Sequence, residues 1–285
     1  MKTSNAIKPI ISYYGGKQRL ASKIIKLIPP HLMYVEPFFG GGAVMFAKGK
    51  PTVTNNDYYH EIINDKDERL INFYRCFQSN FGELMQKICF TPHSESEHQK
   101  AKTICQGKIE ADNITKAWAY FINIQQSFSN TLNAGWRRTK NTPAKNQAAV
   151  WKNQVDRLYD LFDRFSEVSI CCDDALKVIN QRDSENTFFY CDPPYPNFNQ
   201  GHYDGYTIKD FQELVDLLAT IKGKFLLSNY NQPEILFPDN WQKVEIEATC
   251  SATNKNNNKR TEVLWANYKL DNIDQPKMQN EILQY

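Results

Sequence analysis

No stretch of this chain approaches the ~20 consecutive apolar residues that a membrane-spanning helix requires. The opening residues, MKTSNAIKPI, carry no apolar run of the secretory kind. Neither a membrane span nor a leader is expected, and the location expected is the cytoplasm. Cysteine is sparse and unpatterned: seven in 285 residues, with Cys171 and Cys172 adjacent and no C-x-x-C pair. That argues against a disulfide framework and a zinc-type ligand set, and no metal is expected. Charge of one sign is also missing, since 34 Lys and Arg face 32 Asp and Glu for a net +2. A polyanionic partner would have to be met by a local patch rather than a global field. Glycine is scarce, 12 residues in all, so three in a row at Gly40-Gly41-Gly42 stand out.

What is present is an ordinary globular composition, 41% hydrophobic and 23% charged, in a chain long enough for a substantial core. KQRLASKIIKLIPP predicts a helix with Leu20, Ile24, Leu27 and Ile28 on one face, stopped by Pro29 and Pro30. A short strand YVEPF follows, then the glycine turn, a helix through AVMFAK and a second strand EIIND. Residues 67–88 predict one long amphipathic helix, with Leu70, Phe73, Phe77, Phe81, Leu84 and Ile88 at helical spacing. The character then changes. Residues 91–113 are polar and weakly periodic, AWAYFINIQQSF is helical, 133–147 read as an exposed loop, and 151–165 as another amphipathic helix. Strand and helix alternate again through EVSICC, TFFYCDPPY, DFQELVDLLATI and KFLLSNY, and the last strands are QKVEIEATC and TEVLWANYK. The expected fold is α/β, one doubly wound Rossmann-like sheet interrupted by a mainly helical insertion. Its parts are residues 1–90, the insertion 91–165, the second half 166–270 and a polar tail 271–285.

Asp192-Pro193-Pro194-Tyr195 follows the apolar run FFYC directly. Such a run is a buried strand, and ligands of open α/β sheets bind at the carboxyl ends of strands. Two prolines end sheet pairing and stiffen the backbone, leaving a carboxylate, free carbonyls and an aromatic ring at a cleft. An aromatic amine is a poor nucleophile because its lone pair is delocalised. Two acceptors that hold both its N–H bonds, here the Asp192 carboxylate and the Pro193 carbonyl, would localise that lone pair, and Tyr195 would stack on a flat ring. Seen alone, the tetrapeptide could also be a strand-ending turn with an exposed aspartate, the less favoured reading. Glu36-Pro37-Phe38-Phe39-Gly40-Gly41-Gly42 also lies between strand and helix, where glycines let a ligand approach the backbone and the helix offers free N–H groups. Tyr13-Tyr14-Gly15-Gly16-Lys17 brings an ammonium to the start of a helix. Asp65 ends the second strand, where a carboxylate can take the hydroxyls of a ribose; Asp57 is a rival for that role.

In this order, Tyr13 to Lys17, Glu36 to Gly42, Asp65, a long insertion and Asp192 to Tyr195 resemble the Dam-like family of site-specific DNA adenine methyltransferases. The likeness continues in DDALKVI at Asp174, FLLSNYN at Ser228 and Asn229, and KRTEVLWANY at Arg260, Glu262 and Asn267. It implies an S-adenosylmethionine-dependent methyltransferase sheet, a methyl group moved to the 6-amino group of adenine in double-stranded DNA, and flipping of the target base. Carried over residue by residue, it implies catalytic roles for Asp192, Pro193 and Tyr195. It implies cofactor contacts from Tyr13, Lys17, Glu36, Phe38, Gly40, Gly42, Asp65, Asp174 and Asp192. The insertion becomes the target-recognition region, with Arg137, Arg138, Lys140 and Lys145 suited to phosphates, and Lys255 and Lys259 a second basic loop. A monomer or weak dimer is expected, and a cognate restriction enzyme is a candidate partner. Competing readings are methylation of another amine (cytosine in DNA, guanine in RNA or a protein glutamine) and a DNA-binding module without catalysis.

Overall fold

The structure is a computed structural model, which describes residues 8–11, 16–50, 59–139, 145–196, 205–230, 234–248 and 260–270. Within them, strands β1 (Met33–Glu36), β2 (His60–Asn64), β3 (Ser169–Cys171), β4 (Thr187–Cys191), β5 (Lys224–Asn229), β6 (Gln242–Ala248) and β7 (Arg260–Ala266) form one sheet. The order is β3-β2-β1-β4-β5-β7-β6. The first five positions are parallel, and β7 runs antiparallel to both β5 and β6. The carboxyl ends of the parallel strands therefore gather along one edge, and the opening residues of β7 join them, with Val263 opposite Asn229.

Side chains alternate across a strand, so each central strand feeds two cores. Phe188 and Tyr190 of β4 enter the larger core while Phe189 and Cys191 enter the smaller, and β1, β5 and β7 divide in the same way. The larger core is closed by helices α1 (Ala21–Ile24), α2 (Ala43–Lys48), α3 (Glu68–Ser79), α4 (Phe81–Cys89), α5 (Glu95–Cys105), α6 (Asn113–Gln126), α7 (Gln147–Asp156) and α8 (Leu158–Phe165). The smaller is closed by α9 (Ala175–Arg182) and α10 (Ile208–Leu218). Helices on both faces make the sheet doubly wound, as the alternation of elements predicts.

Four expectations about helices change. The long helix expected over 67–88 is two, because Asn80 (φ −127°, ψ 33°) leaves the helical region between α3 and α4. The helices expected over 17–30 and 151–165 are likewise divided, the first into short 3-10 and α turns and the second at Arg157. Conversely, polar residues 91–113 contain α5, which buries only His98, Ala101 and Ile104 along one narrow stripe. So few apolar positions leave a weak periodic signal.

Helix α6 is buried at every position from Ala117 to Gln126, since it packs against α3, α4 and α5 and shares the larger core with the sheet. Its buried amides each find partners, and each partner is a loop. Gln125 Nε2 donates to the Ile10 carbonyl at 2.7 Å. Gln126 donates to the Pro92 carbonyl at 3.0 Å and accepts from Ser94 N–H at 3.1 Å. Asn123 Oδ1 accepts from Asn133 N–H at 2.7 Å. One helix thus sets the course of the chain before α1, before α5 and after α6.

Glu61, buried at the start of β2, ties α8 and α2 to the sheet. It accepts from Arg164 at 2.5 and 2.9 Å and from Lys48 at 3.0 Å, and Arg164 also donates to the Met45 carbonyl at 3.0 Å. Removing one partner leaves buried charges unmatched, which typically costs ~3–5 kcal/mol. Glu61→Ala should lower the urea unfolding free energy by about that amount. A change under about 1 kcal/mol, the range of exposed pairs, would show that the cluster does not anchor α8.

Candidate active site

The glycine turn sits between β1 and α2. Gly42 has φ +67°, and a Cβ there would lie 2.2 Å from the Phe39 ring, so another residue would be strained and would have to displace that ring. Gly40 N–H donates to Asp65 Oδ2 at 2.8 Å, and Asp67 N–H donates to Asp65 Oδ1 at 2.9 Å. Both oxygens are oriented by backbone, so the carboxylate at the end of β2 is fixed in direction. Asn64 beside it donates to the Pro37 and Asp173 carbonyls at 2.9 and 3.0 Å and accepts from Asp173 N–H at 2.9 Å, binding the ends of β1, β2 and β3 together.

These ends wall a cleft that includes Phe38, Asp65, Asp174, Pro194, Tyr206 and Asp210. Asp174 caps α9 by accepting from Leu176 and Lys177 N–H at 2.9 and 3.2 Å. The cleft is acidic: Asp173 and Glu213 also line it, against Lys66. The Tyr206 hydroxyl is buried with no hydrogen-bond partner among the described residues, a polar group that calls for a partner from a ligand. Glu36 is placed differently. It is buried under the glycine turn, 2% exposed, and accepts from the Tyr34 hydroxyl at 2.6 Å. Burial pushes its carboxyl up to about 8, so it is protonated at neutral pH.

Beyond Pro194 lies a second group. Lys17 Nζ donates to Asp192 Oδ1 at 2.8 Å and to the Tyr195 hydroxyl, and stands 3.4 Å from Glu262 Oε1. Its ammonium also lies 4.8 Å from the Tyr195 ring centroid, and the Tyr230 ring is 4.5 Å from that ring. Burial alone would lower the lysine, but the Asp192 and Glu262 carboxylates outweigh it and hold the ammonium above its ordinary value. Burial pushes Asp192 up to about 6; Lys17 opposes that shift and Glu262 adds to it. Asp192 is therefore ionised at neutral pH but close to titration. Its side chain keeps 21% of its surface, against 6% for Lys17, so the carboxylate is the part open to a substrate.

Sequence-expected residues thus fall into two adjoining groups: Phe38, Gly40, Asp65 and Asp174 at the cleft, and Lys17, Asp192 and Tyr195 beyond it. Glu36 and Gly42 support the turn. Arg137 is half-buried and donates to the Ser127 carbonyl at 3.0 and 2.9 Å and to Asn130, so its guanidinium shapes the loop after α6. Arg138 is exposed and paired with Glu95, and Lys145 is exposed. Tyr13, Asp57, Lys140, Lys255, Lys259 and the tail lie outside the described residues. The reading of individual residues passed over Tyr206 and Tyr230, which carry no pattern of their own. Glu262 did carry a signal, an acid on the core face of an apolar strand.

A family model described as D12 class N6 adenine-specific DNA methyltransferase matches residues 13–251. The type II methyltransferase M1.LlaDCHI of Lactococcus lactis subsp. cremoris is 26% identical over 284 residues, 92% of this chain and 96% of its own. The DNA N-6-adenine-methyltransferase of Escherichia phage P1 is 26% identical over 84% of this chain and 32% of its own. The DNA adenine methylase of Escherichia coli K12 is 20% identical over 79% of this chain and 81% of its own. With the match extending over most of its length and across both groups of site residues, this chain belongs to the D12 class of N6 adenine-specific DNA methyltransferases.

Proposed function

We propose that this adenine methyltransferase binds S-adenosylmethionine in the acidic cleft and receives the target amine on Asp192 and the Pro193 carbonyl. The observation that carries the reading is the Asp192 carboxylate, held by Lys17 at the end of β4 and separated in the chain from the cleft-lining Pro194 only by Pro193. Family membership sets aside cytosine, RNA guanine and protein glutamine as acceptors. The chemistry of the cleft fits the donor: Asp65 for the ribose hydroxyls, Phe38 for a flat ring, Tyr206 for a polar group, and an acidic wall for a molecule with net positive charge. When bound, S-adenosylmethionine supplies a methyl carbon on a positively charged sulfur.

Lys17 on Oδ1 keeps Asp192 ionised, and the other oxygen, Oδ2, takes one N–H of the amine while the Pro193 carbonyl takes the second. The nitrogen lone pair is thereby drawn out of the ring system toward the donor. After transfer, Asp192 is the nearest base for the proton the nitrogen sheds. The 6-amino group of a paired adenine lies in the major groove, so the base must be flipped out, at a cost of a few kcal/mol. Stacking on the aromatic pair Tyr195 and Tyr230, at ~1–3 kcal/mol per base, offsets much of that cost.

The insertion 91–165 serves as the target-recognition region. Support comes from the loop after α6, in which Ser129, Asn130 and Asn133 all have positive φ. Non-glycine residues in that region are strained, and such strain concentrates at functional sites. The loop is fixed from beneath by Asn123 and Arg137 and carries Phe128, which is 67% exposed. Arg138 and Lys145 bind phosphates, while Arg137 acts by holding the loop. Among the described residues no helix is long and apolar enough to cross a membrane. The location proposed, with the DNA substrate, is the cytoplasm. The type II relative makes a cognate restriction enzyme a candidate partner.

Asp192→Ala should lower kcat by about 10²–10³-fold, as removal of a preorganised hydrogen-bonding group does elsewhere. In the wild type kcat/KM should fall as pH drops through about 6, because below it Asp192 is protonated and cannot accept. Methyl incorporation into DNA measures both; normal turnover in the alanine variant would end the amine-acceptor reading. For the DNA surface, Arg138→Ala with Lys145→Ala should make the dependence of log affinity on log salt shallower, by about one slope unit for each phosphate no longer neutralised. An unchanged slope would place the phosphate-binding groups elsewhere.

A further inference from the structure

Because β7 opposes its neighbours, Glu262 near its start lies beside the catalytic edge of the sheet. Glu262, Leu264 and Ala266 share one face of the strand, and the latter two enter the larger core. Glu262 is itself only 3% exposed, so its charge must be matched. Three donors converge on one of its oxygens. The Tyr195 hydroxyl and Ser228 Oγ each donate to Oε1 at 2.6 Å, and Lys17 Nζ stands 3.4 Å from the same atom. They come from the loop after β4, from β5 and from the segment before α1, the chain segments that surround Asp192. The Tyr195 hydroxyl gives its proton to Glu262 and accepts from Lys17, so both its roles are satisfied away from the incoming base.

We propose that Glu262 is a positioning residue for methyl transfer, which fixes the Tyr195 ring and shares Lys17 with Asp192 without touching amine or methyl donor. The proposal rests on the reading of Asp192 as the amine acceptor. It also has an electrostatic consequence. Around Asp192 stand Lys17, Glu36 on β1, Tyr190 on β4, Tyr195, Tyr230 after β5, and Glu262 on β7. Glu262 raises Asp192 by like-charge repulsion, and Lys17 lowers it. Neutralising Glu262 removes the repulsion and leaves Lys17 to Asp192 alone, so both changes favour the ionised carboxylate.

The test compares the full-length wild type with Glu262→Gln, Glu262→Asp and Asp192→Ala for kcat, melting temperature, S-adenosylmethionine affinity and the pH profile of kcat/KM. Glu262→Gln should lower kcat on the order of 10²-fold through misplacement of the reacting groups. It should leave donor affinity intact, and the acid limb of its profile should move to lower pH. Glu262→Asp retains the charge but withdraws it, so kcat falls while the limb stays in place. Normal turnover in Glu262→Gln, or reduced turnover with the limb unmoved, overturns the proposal; the second result is what a merely structural role gives. Should Glu262→Gln fail to fold, Glu262→Asp decides by turnover, and wild-type kcat there overturns it. A fully active Asp192→Ala refutes the underlying reading instead, whereas a fully active Glu262→Gln beside an inactive Asp192→Ala refutes only the role of Glu262.

Discussion

One part-buried ion pair, Lys17 with Asp192, joins the amino-terminal segment to the end of β4 across most of the chain. Much of the site depends on it. Without the ammonium, burial and the neighbouring Glu262 would both press Asp192 toward its neutral form, and a protonated carboxyl is a poor acceptor for an amine. Without the carboxylates, a buried lysine would tend to lose its proton. Each group keeps the other charged, and Tyr195 and Glu262 complete the cluster by taking the remaining hydrogen bonds. Of the two carboxylates, that of Asp192 is the one left partly open, and it is the one proposed to receive the amine.

Architecture explains how such distant residues meet. Parallel strands align their carboxyl ends, so Glu36, Asp65 and Asp192 arrive at one edge from three different strands, and the reversed β7 adds Glu262 to that edge. The inserted helices take part as well. Gln125 of α6 holds the Ile10 carbonyl, and Arg157 donates to the Lys8 carbonyl at 2.8 Å, so Lys8 and Ile10, ahead of Lys17, are held by the helices of the proposed insertion. The same α6 holds the strained loop proposed to meet DNA. The loop proposed to meet DNA and the residues ahead of Lys17 are therefore both bonded to α6, a physical route by which a bound target could bear on the proposed site.

The sheet was legible because its strands are short apolar runs bounded by turns, and the site motifs stand at their ends, where sheet geometry puts ligand-binding groups. Helix boundaries were less legible. The periodicity of residues 67–88 passes through Asn80 without a break, since apolar spacing records which face is buried and not where the backbone turns. Helix α5 was hidden because three buried positions among eleven residues leave little pattern. At the site, a residue's type announced its chemistry but not its partner. Arg137 was expected at phosphates and Glu36 at the cofactor, and the bonds of Arg137 to Ser127 and Asn130 and of Glu36 to Tyr34 were not foreseen. These partners are near in sequence, two residues away for Glu36 and seven and ten for Arg137, but the path of the backbone between them, which residue type does not encode, decides that they meet.

The central claim, that Lys17 keeps Asp192 ionised and able to accept, is open to direct titration. Carboxyl-carbon NMR of Asp192 should report a midpoint at about 6 in the wild type. In Lys17→Met, which keeps the apolar stem and removes the charge, the midpoint should rise, because burial and Glu262 then act unopposed. An Asp192 midpoint that is the same in both proteins would contradict the account.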